Sequence, residues 1–196
     1  YSVSNGDQGE INCVLKKIEL DETLFLICSK SFNTIETKNN AKIAKEALEA
    51  NFGKRAISKQ FLGVSSNQEG MTDFGIHKDK QFYISDWVGG RFSITSAMGL
   101  PLACMIGMDN FYRFLDGARL MDIHFKNASY HINMPVILAT LSIYYTNFYN
   151  AQSQAIICYG DKLTYFTDFV RQLHMESLGK KTKIDGSRVN VNTGNV

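Results

Sequence analysis

Residues 23–51 read TLFLICSKSFNTIETKNNAKIAKEALEAN and join a short apolar run to a longer stretch with helical periodicity. The apolar run, residues 23–29, has the length and continuity of a strand that is buried on both faces of a sheet. Residues 35–51 are rich in helix-forming Ala, Lys, Glu and Leu, and their apolar side chains fall on one stripe. A strand that leads directly into a helix predicts a parallel sheet covered by helices.

The same alternation of strand and helix patterns continues along the chain. Two further strands are predicted at residues 60–65 (QFLGVS) and 81–85 (QFYIS), and a buried strand is predicted at residues 154–159. Helices are predicted at residues 109–126, 128–149 and 162–175. The expected class is therefore α/β, with parallel sheets flanked by helices in two incomplete α/β units.

Composition and charge exclude several classes of protein. The 196 residues are 44% hydrophobic and 20% charged, which suits one good core or two partial ones and excludes a disordered or fibrous chain. The formal net charge is only +2 and the basic residues are scattered, so we expect neither a nucleic-acid nor a membrane partner. The apolar core of the uncharged stretch 127–160 is shorter than the roughly 20 residues of a membrane span, and we expect a buried helix there.

The cysteines and histidines give no pattern typical of a metal site. No CxxC spacing occurs, and three of the four cysteines lie in apolar strings, which predicts buried, reduced thiols and a cytoplasmic protein. A disulfide or a zinc site is the less favoured alternative for the cysteines. The histidines form no i, i+4 pair, and we expect no metal ion. The cysteines are Cys13, Cys28, Cys104 and Cys158.

A polar loop, residues 29–37 (SKSFNTIET), separates the first predicted strand from its helix. Hydroxyl groups and a lysine at a helix N-terminus, beyond the carboxyl end of a parallel strand, favour binding of a phosphate group. The free N–H groups and the helix dipole add to that attraction. The alternative is that these side chains only cap the helix. Neither GxxxxGK[ST] nor GxGxxG occurs, so one phosphate is favoured over a nucleotide polyphosphate.

Two further clusters contain residue types that bind or react with small ligands. In residues 86–93 (DWVGGRFS), paired glycines let the backbone turn sharply and bring Arg91 to the carboxyl edge of the sheet. A surface arginine or a structural ion pair is the alternative there. In residues 172–180 (QLHMESLGK), Gln172 and Glu176 are four residues apart and share one helix face. An ordinary polar turn that ends the helix is the alternative for this segment.

Three motifs, SKSFNTIET, SDWVGGRFSITSAMG and MESLGK, occur in this order and resemble those of the glucose-6-phosphate isomerase (phosphoglucose isomerase) family. That family typically reads SKTFTTQET, WDWVGGRYS and MESNGK, and the resemblance extends over almost the whole chain. It implies a sugar-isomerase (SIS) type fold. The C-terminal part of a first SIS-type domain is then expected at residues 1–105, a helical connection at 106–127, and the N-terminal part of a second domain at 128–196.

The resemblance also implies a reaction and a biological context. The expected activity is the reversible aldose–ketose isomerisation of glucose 6-phosphate and fructose 6-phosphate, through an enediolate, in glycolysis and gluconeogenesis. The full-length protein is expected to be a cytoplasmic homodimer that acts on a sugar phosphate without a cofactor.

Residue roles follow at the positions that match the family motifs. Glu176 matches the base that moves the proton, and Arg91 matches the arginine beside the reacting C1–C2 unit. Such a carboxylate can collect a proton next to the sugar carbonyl and return it to the neighbouring carbon, while the arginine stabilises the charge on oxygen. The expected substrate-binding residues are Ser29, Lys30, Ser31, Thr34 and Gln172, with Glu36 as a supporting acid.

The family's glycine-rich phosphate motif, its ring-opening histidine and its C-terminal lysine are expected before Tyr1 and after Val196. We therefore predict that the isolated segment has little or no activity. The alternative from another class is a non-catalytic regulatory module that binds sugar phosphates. Such a module would not need Arg91, Gln172 and Glu176 together, so their joint presence favours the enzyme.

Overall fold

The computed structural model describes residues 1–194. The chain divides into two compact units, Tyr1–Met108 and Asp109–Val196. The first unit contains the parallel sheet, and the second consists of helices and irregular segments over its described residues.

The sheet of the first unit has three parallel strands in the order β1-β2-β3. These are β1 (Phe25–Cys28), β2 (Phe61–Ser65) and β3 (Gln81–Tyr83), so all three predicted strands of this unit are confirmed. In the register, Cys28 lies beside Val64 and Ser65 lies beside Tyr83. Because parallel strands end at the same edge of a sheet, the loops that follow β1, β2 and β3 are neighbours.

Helices and short turns surround this sheet. The longest of the helices around this sheet, α2, begins directly after Thr34 and ends at Gly53. Gly53 has a φ of 74°, which ends the helix, and its N–H donates to the Glu49 carbonyl oxygen at 2.9 Å. The helices of the unit are α1 (Gln8–Leu15), α2 (Ile35–Phe52), α3 (Arg55–Gln60), α4 (Gln68–Phe74) and α5 (Leu100–Ile106). Short 3₁₀ turns lie at Leu20–Glu22, Lys78–Lys80, Gly90–Thr95 and Ala97–Gly99.

The core of the first unit lies between the central strand and the helices. Leu48 of α2, Phe61 of β2 and Met71 of α4 have no exposed surface, and burying such side chains stabilises the fold by about 1.5–3 kcal/mol each. The Phe61 ring stacks on Phe25 with centroids 5.0 Å apart. A Cβ atom at Gly63 would lie 2.6 Å from the Met71 sulfur and 2.9 Å from Ile76 Cδ1, so a larger residue in β2 would force both side chains to shift.

The second unit contains three long helices. These are α6 (Met108–Asn127, which begins at the last residue of the first unit), α7 (Met134–Phe148) and α8 (Phe166–Ser177). A 3₁₀ turn at Asp161–Leu163 precedes α8. The predicted helices are confirmed, but α7 begins six residues later than expected. Its start is set by Asn133, whose side chain accepts a hydrogen bond from the Val136 N–H at 3.4 Å.

The buried strand predicted at residues 154–159 is wrong. This segment forms no strand, and Ile157 and Tyr159 are exposed by 69% and 95%. A strand is stable only where a neighbouring strand pairs with its backbone groups. Within residues 109–194 the sole β pairing is an isolated bridge between Thr182 and Arg188, so this apolar run has no sheet to join.

Burial was also predicted wrongly for α7 and for Cys104. Helix α7 is apolar around its circumference, yet Leu138 and Ile143 are 64% and 60% exposed, because the described residues of the second unit cover only part of it. Cys104 is exposed because it lies about 100° around α5 from the buried Ala103. Across residues 1–194, no helix has both the length and the apolar character that a membrane crossing requires.

Candidate functional site

The loop after β1, residues 29–34, is here called the phosphate loop, after the ligand that the sequence predicts for it. Ser29 is buried, and its N–H donates to the Val64 carbonyl oxygen at 3.1 Å, so the loop begins in a fixed position at the sheet edge. The Ser29 and Thr34 hydroxyl oxygens lie 3.1 Å apart and share a hydrogen bond. Thr34 therefore directs its hydroxyl toward Ser29 and makes no side-chain capping bond to α2, unlike in the capping alternative.

Phe32 gives the phosphate loop its shape. Its φ of 58° places it in the left-handed region, which costs a residue with a Cβ atom about 1–2 kcal/mol. The ring is 4% exposed and meets the Phe74 ring edge-on with centroids 6.0 Å apart. Burial of the aromatic ring thus holds a strained backbone in place, as is frequent where a loop binds a ligand. Sequence reasoning gave Phe32 no role, because its conformation depends on Phe74.

The loop after β2 supports the phosphate loop from behind. The Lys30 carbonyl oxygen accepts hydrogen bonds from the Ser65 hydroxyl at 2.8 Å and from the Ser66 N–H and hydroxyl, both at 2.9 Å. The Asn67 amide nitrogen donates to the Ser31 carbonyl oxygen at 3.1 Å. No sequence motif indicated a role for these residues. Their position directly after the central strand of a parallel sheet was the signal that could have identified them.

The loop after β3, residues 84–91, carries Arg91 and is here called the arginine loop. Its first residue continues the sheet, since the Ile84 N–H donates to the Ser65 carbonyl oxygen at 3.1 Å. The Lys30 ammonium donates to the Asp86 carbonyl oxygen at 2.7 Å. Arg91 itself is exposed and lies in the first turn of the 3₁₀ segment Gly90–Thr95, which overlaps the end of this loop. The first unit thus brings the phosphate loop and the arginine loop to one edge of the sheet.

The remaining predicted site residues lie on helices. Gln172 and Glu176 are exposed and four residues apart on α8, so they share a face of that helix in the second unit. The Glu176 carbonyl oxygen accepts a hydrogen bond from the Lys180 ammonium at 2.9 Å. Glu36 lies in the first turn of α2 in the first unit, where a carboxylate is favoured by the helix dipole.

The thiol nearest the phosphate loop has low reactivity. Cys28 directly precedes Ser29, and burial raises the pKa of its thiol to about 11. A thiol with that pKa stays protonated at neutral pH and is a poor nucleophile. All four cysteines are free thiols. Within residues 1–194, no group of three His, Cys, Asp or Glu side chains could hold a metal ion.

Comparison with known proteins identifies relatives along the whole chain. The sequence model of the phosphoglucose isomerase family matches residues 1–196. Glucose-6-phosphate isomerase of Coxiella burnetii (strain Dugway 5J108-111) is 46% identical over 197 residues, which cover 100% of this chain and 36% of the relative. That of Marinomonas sp. (strain MWYL1) is 44% identical over 195 residues, covering 99% and 36%. The chain therefore spans little more than a third of the length of these curated relatives.

Solved structures agree with this assignment of the fold. The crystal structure of a glucose-6-phosphate isomerase from Chlamydia trachomatis D/UW-3/Cx matches with a TM-score of 0.86 and 31% identity, covering 99% of this chain and 37% of that one. A hypothetical protein from Thermus thermophilus matches with a TM-score of 0.80 and 26% identity, covering 100% and 46%. The predicted α/β class of the sugar-isomerase type is confirmed.

Proposed function

Because the chain belongs to the phosphoglucose isomerase family, we propose that the complete protein interconverts glucose 6-phosphate and fructose 6-phosphate through an enediolate. The observation that carries this proposal is the sheet edge of the first unit. There a hydroxyl-rich loop at a helix N-terminus is hydrogen-bonded to the loop that carries Arg91. This arrangement suits a ligand with a phosphate at one end and a carbonyl at the other.

The phosphate of the sugar is proposed to bind at the phosphate loop. Ser29, Ser31 and Thr34 supply hydroxyl donors, and α2 begins directly after Thr34, so its N-terminus lies at the end of the same loop. Lys30 belongs to the same loop. Binding energy from this remote phosphate orients the reacting end of the sugar, which is how a substrate contact distant from the chemistry raises the rate.

The proton transfer is assigned to Glu176 and the charge stabilisation to Arg91. Glu176 would remove the proton beside the carbonyl and return it to the neighbouring carbon. The enediolate that forms carries negative charge on oxygen, and an arginine stabilises it because its guanidinium stays protonated at every working pH. Gln172, on the same face of α8 as Glu176, would contact the sugar. Glu36 is assigned a supporting role.

The organisation of the complete protein is part of the proposal. Residues 1–105 would form the C-terminal part of a first SIS-type domain, residues 106–127 a helical connection, and residues 128–196 the N-terminal part of a second such domain. The boundary between the two compact units, after Met108, lies close to the proposed domain end at residue 105 and supports this division. We further propose a cytoplasmic homodimer as the active form.

The direct test is a coupled assay for glucose 6-phosphate formed from fructose 6-phosphate. We expect the complete gene product to turn over at an ordinary enzymatic rate and residues 1–196 alone to show little or no activity. Comparable activity of the isolated segment would contradict our placement of the other catalytic groups outside it. Absence of activity in the complete protein, with sugar-phosphate binding retained, would favour the regulatory module.

The role of the phosphate loop is tested by changing Ser31→Ala and Thr34→Ala together. Hydrogen bonds to a charged group contribute about 1.5–3 kcal/mol each, so we expect the loss of two to raise the KM for fructose 6-phosphate by at least about 100-fold. Ser58→Ala with Thr72→Ala is the matched control, because both hydroxyls donate to carbonyl oxygens within helices α3 and α4. An unchanged KM in the variant with both Ser31 and Thr34 replaced would show that the substrate phosphate does not bind at this loop.

A further inference from the structure

We propose that Lys30 is a positioning residue whose ammonium, bonded to the Asp86 carbonyl, ties the phosphate loop to the arginine loop instead of binding the phosphate itself. The inference rests on the proposed function, because it refines how the two loops act on one substrate. It assigns to the Lys30 side chain an effect on the placement of Arg91.

A long side chain joins the two loops. They follow β1 and β3, and β2 lies between those strands. Neighbouring strands are about 4.8 Å apart, so the ends of β1 and β3 are separated by roughly 10 Å. The four-carbon stem of a lysine and the hydrogen bond at its end together reach across most of that gap. Lys30 and Asp86 are 56 positions apart in sequence, and their bond of 2.7 Å joins the outer strands over the end of the central one.

Both ends of the Lys30 residue are fixed. Its carbonyl oxygen accepts three hydrogen bonds from Ser65 and Ser66 at the end of β2, which sets the position of its backbone. Its ammonium donates a hydrogen bond to a backbone oxygen. Because the donor is charged, this bond is stronger than a hydrogen bond between two neutral groups. The side chain is half-buried. One residue therefore connects the loops of all three strands.

The arginine loop needs such a connection. Between Asp86 and Arg91 lie two glycines; a Cβ atom on Gly90 would meet nothing within 4 Å, and one on Gly89 would meet the Phe92 ring at 3.5 Å. The Val88 N–H donates to the Ser85 carbonyl oxygen at 3.0 Å and the Phe92 N–H to the Gly89 carbonyl oxygen at 3.1 Å, and both bonds stay within this segment. The neighbouring Trp87 is 86% exposed and provides little anchoring. Glycine pairs have many accessible backbone conformations. A bond to the Asp86 carbonyl restricts that freedom shortly before Arg91, and displacement of a reacting group by about 1 Å can cost about 100-fold in rate.

The tying role and a ligand role predict different kinetics. Loss of a phosphate contact weakens phosphate binding directly, so both KM and the inhibition constant of inorganic phosphate rise. Loss of the tie displaces Arg91, whose effect is greatest in the transition state, so kcat falls. For Lys30→Met in the complete protein we expect kcat to fall by about 10- to 100-fold. The inhibition constant of inorganic phosphate should change by less than about threefold.

Lys38→Met is the matched control. The Lys38 ammonium donates to the Asn33 side-chain oxygen at 3.2 Å, so the substitution removes the same charge from beside the phosphate loop without breaking a bond between loops. We expect its kcat to stay within about twofold of the wild type. Lys30→Arg keeps a cationic donor on a long side chain. If Lys30→Met lowers kcat by about 100-fold, we expect the kcat of Lys30→Arg to be at least about tenfold higher than that of Lys30→Met. This second variant also guards against a Lys30→Met protein that does not fold.

A double-mutant cycle with Arg91 decides whether Lys30 acts through the arginine. If it does, adding Lys30→Met to Arg91→Met should lower kcat by less than about threefold further, because the group being positioned is already absent. Hydrogen exchange of the 86–91 amides in the complete protein provides a readout independent of activity. Lys30→Met should accelerate that exchange, and Lys38→Met should not.

Three results would overturn the tie. They are a tenfold or greater rise in the phosphate inhibition constant with kcat intact, independent and multiplicative effects of the Lys30 and Arg91 changes, and unchanged exchange at residues 86–91. A complete protein without any isomerase activity would instead defeat the proposed function. The exchange experiment would still decide the tie in that case.

Discussion

Replacing Glu176 by Gln in the complete protein is expected to lower kcat for isomerisation by about 10²- to 10⁴-fold, the usual contribution of a general base. The amide has nearly the shape of the carboxylate but cannot accept the proton beside the carbonyl. Binding of the sugar phosphate should stay within about tenfold, because the lost group acts mainly in the transition state. Glu176 is exposed on α8, so the substitution does not disturb a packed core.

The measurement is the coupled assay, together with binding of a non-reacting sugar phosphate by calorimetry. Asp116→Asn is the control, since Asp116 is another exposed helical acid of the second unit and pairs with Arg119 at 2.9 Å. This control should retain wild-type turnover. Near-normal kcat in Glu176→Gln would show that a different residue is the base.

Arg91→Met is expected to lower kcat by about 10²- to 10³-fold, which is typical for removal of one group that stabilises a developing oxyanion. Arg91→Lys should recover only part of this loss. A lysine keeps the charge but presents a point ammonium in place of the planar guanidinium fork. The KM is expected to change far less than kcat, because the charge on oxygen develops after the substrate has bound.

Steady-state kinetics of both Arg91 variants in the complete protein provide the test. Arg55→Met is the control in the same unit, since Arg55 is an exposed residue at the start of α3. We expect Arg55→Met to behave as the wild type. A raised KM with an unchanged kcat in Arg91→Met would show that Arg91 contributes to substrate binding and does not stabilise the charge on oxygen.

The sequence predicted the strands of the first unit because each apolar run found neighbours to pair with. It failed for residues 154–159 and for the exposed flank of α7 for the same physical reason. An apolar pattern indicates that a segment tends to be buried. The segment becomes buried only where other residues provide a surface that covers it. In the described part of the second unit that surface is incomplete around Leu138 and Ile157.

The candidate site was predicted unevenly. The polar loop after β1, the Arg91 turn and the Gln172–Glu176 spacing are local features, and their presence could be read from consecutive residues. The contribution of Ser65, Ser66 and Asn67 could not, since their partners lie 35 or 36 positions earlier in the phosphate loop. Contacts of that kind depend on how the chain returns to the sheet.

By itself, the sequence determined the order of strand, loop and helix, the class of the fold and the residue types available at the sheet edge. These follow from periodicity and from local backbone preferences, which act over a few residues. The tertiary structure alone decided that Phe32 is held with a φ of 58° against the Phe74 ring, and that the Lys30 ammonium reaches the Asp86 carbonyl oxygen. Both depend on parallel pairing, which brings distant segments to a common edge and so creates contacts that no local pattern encodes.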